Sequence, residues 1–153
     1  MELTKQKINK YGEIIFNKLP YSNKKETSLI KLIAFLYPEK IINYENLITN
    51  WDEIGEILAQ YNPKFLKIYQ DKITDWSGIE IKLAKYYPEF LKIYQDKIKN
   101  WNWVGQILAL YHPEYLKIYQ NKITNWDEIG EILAQHNPNY LKIYQDKIKD
   151  WNW

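Results

Sequence analysis

Two pairs of carboxylates stand one helical turn apart in this chain, Glu53 with Glu56 and Glu128 with Glu131. Such a pair could pass a proton in acid–base catalysis or hold a hard cation. The two pairs belong to stretches 51–75 and 126–150, which match at 21 of 25 positions. Duplication accounts for that match, and an acid pair used once per active site needs no second copy. His112 and His136 fall near the ends of adjacent helical stretches. Neighbouring helices lie roughly 8–10 Å apart, too far for both imidazoles to share one zinc unaided. Cys is absent, which removes disulfides, iron–sulfur clusters and thiol chemistry and suits a reducing, cytoplasmic compartment. No Ser–His–Asp order, Gly-rich phosphate loop or Glu-x-x-His pattern occurs. The expectation is a protein that is not an enzyme and uses no catalytic residue, metal or cofactor.

Lysines form the most regular charged feature. Lys67, Lys92, Lys117 and Lys142 recur every 25 residues, with Gln70, Gln95, Gln120 and Gln145 three residues after them. Asp71, Asp96 and Asp146 stand four residues after three of these lysines, a spacing that pairs charges on one helix face. Read as a track, the ladder could carry an anionic polymer, and residues 1–25 add a local basic excess. The interleaved acids cancel much of that field. All 21 basic residues are Lys, so the bidentate guanidinium contacts suited to phosphate and guanine are missing. Nucleic acid is therefore the second partner class, after protein.

These residues are positioned by a repeat. Pro63-Lys64-Phe65-Leu66-Lys67-Ile68-Tyr69-Gln70-Asp71-Lys72-Ile73 returns with small changes from Pro88, Pro113 and Pro138, each time followed by a Trp. A fixed 25-residue period means that one supersecondary unit is stacked. The chain reads as a single repeat domain over 1–153. It comprises a worn N-terminal cap (1–25), a degenerate repeat (26–50), close repeats 51–75, 76–100, 101–125 and 126–150, and a stub at 151–153. Tyr11-Gly12-Glu13 and Pro20 are the traces of the worn unit, and Ala34, Pro38, Tyr44 and Ile48 those of the degenerate one.

Each unit reads as two short helices. Trp51, Ile54, Leu58 and Tyr61 make one helical stripe, and Asn50, Asp52 and their equivalents are cap-type residues. Pro63 starts a second helix at its favoured first position, with Phe65, Leu66, Tyr69 and Ile73 as its apolar face. Gly55, Gly105 and Gly130 inside the first helices point to close approach of a neighbour. Trp76 and Trp126 are expected to be buried between consecutive units. The fold class is all-α, an αα-solenoid of about six two-helix repeats. The opening residues lack the apolar run of a signal peptide, and no stretch is long and apolar enough to span a membrane.

The pattern Asn-Pro-x-Phe/Tyr-Leu-x-x-Tyr-x-Asp-Lys-Ile-x-x-Trp at Asn62–Trp76 and Asn137–Trp151 resembles short tandem helical repeats with an Asn-Pro…Asp-Lys-Ile…Trp grammar. Proteins carrying these repeats occur in large DNA viruses, phages and AT-rich bacteria. The resemblance implies a helical-repeat fold and a phage or mobile-element origin. It implies no particular activity.

Function is sought where the copies disagree. The third, sixth and tenth positions read Glu53, Glu56, Gln60 and Glu128, Glu131, Gln135 in the outer copies. Between them they read Gly78, Ile81, Lys85 and Trp103, Gln106, Leu110. An outward face carrying Trp and Leu between acidic flanks suits a protein interface. Trp103, Leu110, Gln106, Lys85 and Ile81 are the expected partner-binding residues. Ile81 is the weakest of these, because Lys82 at the next position can turn the helix and tuck Ile81 inward.

Overall fold

In a computed structural model, residues 23–152 are described; residues 1–22 of the worn first repeat, with its turn at Tyr21 and Ser22, and Trp153 lie outside them. The described residues form helices and turns with no strand, so the chain is all-α. It divides into two compact units, Met1–Asn50 and Trp51–Trp153.

In the first unit, helix α1 (Asn23–Leu36) packs against a 3-10 segment, Pro38–Leu47. Ile30, Ala34, Pro38 and Ile41 form the buried core between them. Tyr44 and Ile48 are half-buried.

The second unit is a stack. Its first helices are α2 (Trp51–Tyr61), α4 (Ser77–Tyr86), α5 (Trp101–Tyr111) and α7 (Trp126–His136). They pack in sequence order, α2 on α4, α4 on α5 and α5 on α7. Their spacing is set at the inner glycines. A Cβ on Gly55 would lie 2.6 Å from Ile79 Cδ1, and one on Gly105 would lie 2.8 Å from Ile129 Cδ1. Each of these glycines seats the δ-methyl of the next unit's isoleucine. At Gly130 the tight neighbour is Ile148 of the same unit, 2.7 Å away.

Every first helix ends for the same reason. The residue before a proline is driven from the α region by the ring. Asn62, Tyr87, His112 and Asn137 take φ from −139° to −148° and ψ from 55° to 62°. The amide after the helix still closes onto it, as in Asn62 N–H to Leu58 O at 2.7 Å. Tyr37, before Pro38, takes the same bend at φ −140° and ψ 59°.

The second helix is shorter than its apolar pattern suggests. In the unit 51–75 it breaks into a 3-10 turn (Pro63–Phe65), one α-turn, α3 (Leu66–Tyr69), and another 3-10 turn (Gln70–Lys72). The unit 101–125 has Pro113–Tyr115 and α6 (Leu116–Tyr119), and the unit 76–100 a 3-10 segment, Pro88–Lys92. Only the unit 126–150 has a longer piece, α8 (Pro138–Tyr144). Burial of its apolar residues holds this segment where a continuous α-helix does not form. Leu66, Leu91 and Leu116 are fully buried, as are Tyr69 and Tyr94.

The tryptophan at each unit's start lies on the tyrosine of that same unit. Ring centroids are 5.3 Å apart for Trp51–Tyr69, 5.4 Å for Trp76–Tyr94, 4.9 Å for Trp101–Tyr119 and 5.1 Å for Trp126–Tyr144. Lys72, Lys122 and Lys147 cover the outer ring faces at 5.1–5.3 Å, a cation–π arrangement. Trp76 and Trp126 are buried as expected, but their main aromatic partner is within the unit. Tyr94 continues the link backward, donating its hydroxyl to the carbonyl of Pro63 at 3.4 Å.

Trp76 is only 4% exposed. Trp76→Ala should lower stability by about 3–5 kcal/mol, read as a large drop in thermal midpoint. A midpoint within a degree or two of the parent would contradict this packing.

Candidate functional site

The face built by α4 and α5 holds the expected partner-binding residues. Trp103 is 50% exposed. Leu110, Gln106, Lys85 and Ile81 are half-buried on the same pair of helices. Ile81 is not tucked into the core; it and Lys82 are equally intermediate. The sixth position of one unit meets the third position of the next. Gln106 donates to the Glu128 carboxylate, and a Cβ on Gly78 would fall on the carboxylate of Glu56. In that register Ile81, sixth in its unit, corresponds to Trp103, third in the next.

Lys85 fastens the other end. Its ammonium lies 4.7 Å from the Tyr111 ring centroid and 5.4 Å from that of Tyr86. The hydrogen bond with Tyr111 raises its pKa, with the Tyr111 and Tyr86 charges adding to the effect. Tyr61, Tyr86 and Tyr111 are all exposed and recur at 25-residue spacing, so the stripe that Trp51, Ile54 and Leu58 begin ends at the surface. Behind the row, His112 Nε2 lies 2.9 Å from Lys85 O. Asn137 Nδ2 donates to Ala109 O at 2.8 Å and Leu110 O at 3.2 Å. Both side chains close the C-terminal end of the preceding unit's first helix. His112 is therefore held by the stack, while His136 is exposed at the end of α7.

The paired carboxylates do not converge. Glu56 lies over Gly78, Glu128 takes the Gln106 amide and Glu131 accepts from Gln135 at 3.2 Å. Among the described residues no group of three or more His, Asp or Glu is placed to hold a metal ion.

A different set of side chains, Asp and Asn, does structural chemistry that cap-spotting missed. Asp52 Oδ1 accepts the backbone N–H groups of Thr74 at 2.7 Å and Asp75 at 3.0 Å. Asn102 does the same for Thr124 and Asn125, at 2.8 and 3.0 Å, and Asp127 for Lys149 and Asp150, at 2.7 and 3.1 Å. The second residue of these units thus ties down the loop that ends them, 22–23 residues away. N-capping proper falls to Asn100, which accepts from Trp103 N–H at 3.1 Å, while Asp75 accepts from Ser77 N–H at 3.0 Å.

The unit 76–100 departs from this scheme at three positions together. Ser77 replaces the loop-binding Asp or Asn, Glu80 replaces the inner glycine, and Val104 replaces the next unit's isoleucine. Val lacks the δ-methyl that Ile79 and Ile129 bring to Gly55 and Gly105, so the smaller residue at 104 goes with the larger Glu80 in the glycine's place. Glu80 is 1% exposed and its Oε2 accepts the Lys99 N–H at 3.0 Å, with the Asn100 amide alongside. The loop is still held, by a carboxylate arriving from the core side. Asp52, Asn102 and Asp127 are only partly buried.

The second segments carry a feature that the apolar-stripe count left unassigned. Ile68, Ile93, Ile118 and Ile143 are 60%, 56%, 61% and 61% exposed. Each follows one of the ladder lysines, which are exposed too. The expected helical pairing of Lys67 with Asp71 breaks down because α3 stops at Tyr69 and Asp71 lies in the following 3-10 turn. The sequence signal was available: an isoleucine repeated at a position outside the buried stripe.

No protein-family model, curated protein or solved structure matches the chain. No helix among the described residues is long and apolar enough to cross a membrane.

Burial raises the pKa of Glu80 above its usual 4.5, against the lowering effect of the two loop amides. Its folded form binds a proton more readily than its unfolded form, so its effect on stability worsens as pH rises from 4.5 through the raised value. Asp127 behaves oppositely. The amides of Lys149 and Asp150 hold its carboxyl below 3.8, and that contribution is lost only as pH falls below the ordinary value. Melting curves from pH 4 to 7 should therefore show parental stability declining relative to Glu80→Gln, whereas the gap between the parent and Asp127→Asn should hold steady over that range and close only below about pH 4. Parallel curves for parent and Glu80→Gln would refute the assignment.

Proposed function

We propose that this protein is a non-enzymatic helical-repeat binding module that holds another protein against the α4–α5 face. Half-exposed Trp103 carries the reading, standing with Ile81 and Leu110 where the outer copies have Glu or Gln. An exposed indole adds nothing to a core, and Trp is among the commonest anchors of binding energy. Lys85, Tyr86 and Tyr111 fix one end of the patch and the Gln106–Glu128 contact one edge, so little side-chain freedom remains to be lost on docking. Glu53, Glu56, Glu128 and Glu131 supply an acidic rim that orients a partner more than it holds one. The repeat grammar supports a phage or mobile-element setting, and an inhibitor of a host defence or regulatory protein is one concrete version.

Trp103→Ala should weaken partner binding by at least about 2 kcal/mol while leaving the helical spectrum and thermal midpoint nearly unchanged. The test is recovery from a native-host lysate, identified by mass spectrometry, with the parent and the variant side by side. A partner captured by the parent at physiological salt and lost by Trp103→Ala supports the reading. Binding that survives the substitution overturns it, as does binding that collapses between low and physiological salt, the signature of phosphate contacts.

A further inference from the structure

The second segments form a surface of opposite character to the α4–α5 face. Residues 63–73, 88–98, 113–123 and 138–148 carry nine lysines against five acids, whereas the first helices 51–61, 76–86, 101–111 and 126–136 carry two lysines against seven acids. Along the basic side runs the row Ile68, Ile93, Ile118 and Ile143, one more-than-half-exposed isoleucine per unit. A lone exposed aliphatic residue needs no explanation, but a row of four beside four exposed lysines does. The units 76–100 and 101–125 differ at most positions of their first helices yet share Leu-Lys-Ile-Tyr-Gln at 91–95 and 116–120. Burial accounts for Leu91, Leu116, Tyr94 and Tyr119. It does not account for the exposed Lys–Ile pair.

We propose that the Ile68–Ile93–Ile118–Ile143 row is a second docking surface, and that its occupant is an acidic amphipathic helix of a partner protein, with an apolar residue every seven positions. The spacing selects the helix. Successive units are separated by roughly 8–10 Å, the distance between packed helices. A helix returns the same face after seven residues, about 10.5 Å. A strand returns it after about 6.7 Å or 13 Å and misses alternate isoleucines. The charge selects the sign, because Lys67, Lys92, Lys117 and Lys142 flank the row and favour carboxylates beside the apolar positions. The exposed isoleucines between those lysines favour a partner that pairs an apolar stripe with carboxylates over a uniformly anionic lipid or nucleic-acid surface. The row shares no residue with the Trp103 patch.

The test uses the full chain and a synthetic 28-residue helical peptide with Leu at every seventh position, Glu beside it and Ala elsewhere. Fluorescence anisotropy at physiological salt should show saturable binding. Replacing the peptide's Glu by Lys should weaken it at least about tenfold, and so should Ile93→Glu combined with Ile118→Glu in the protein. Both isoleucines are exposed, so the double variant should melt like the parent, and Trp103→Ala should bind the peptide unchanged. The proposal is overturned if the acidic peptide fails to bind, if the two peptides bind alike, or if the double variant binds as well as the parent. It is equally overturned if the double substitution abolishes co-sedimentation with phosphatidylserine vesicles, or a concentration-dependent dimer, while leaving peptide binding intact.

Discussion

Consecutive first helices meet where one side lacks a side chain. At Gly55 and Gly105 the backbone surface of one helix receives an isoleucine δ-methyl from the next, with no space for a Cβ. That contact fixes how closely units stack, and the closeness lets side chains of one unit hydrogen-bond the backbone of another. The reach from Tyr94 to Pro63 O and that from Asn137 to Ala109 O both depend on it. So does the approach of Glu56 to Gly78 that borders the Trp103 patch.

The unit 76–100 shows what happens when the constraint is relaxed at one interface. Removing a methyl at Val104 admits Glu80, and Glu80 takes over the loop amides that Ser77 is too short to reach. The three substitutions make sense only together. Singly, the glutamate would collide with an isoleucine, the serine would leave its loop untied, and the valine would leave a void. The same unit carries Gly78 and Ile81 in place of the usual acids, so altered packing and altered surface chemistry coincide.

Architecture was legible because it is written in periodic residues. The Trp, Pro and Gly positions announce a stacked helical unit, and those in the described residues occupy the expected sites. The extent of the second helix was not legible. Its apolar spacing is helical, yet a proline start and a short span leave it part 3-10, and that balance depends on packing rather than pattern. The outward placement of Trp103 could be read because other copies hold Glu there. The exposure of Ile68 and its equivalents was legible only from the helix period, which leaves them outside the stripe of Phe65, Leu66, Tyr69 and Ile73; comparison between copies is silent because every copy shares them. The role of Asp52 was hidden for another reason: its backbone partners lie 22 and 23 residues away, beyond any local cap rule.

The His112 and Asn137 contacts point backward along the chain, each finishing a helix that belongs to the unit before it. During synthesis, α4 therefore waits for residue 112 and α5 for residue 137 before its last carbonyls find those partners. A chain cut after Tyr111 would leave the Lys85 carbonyl at the end of α4 without its His112 contact, and one cut after His136 would leave α5 without the Asn137 amide.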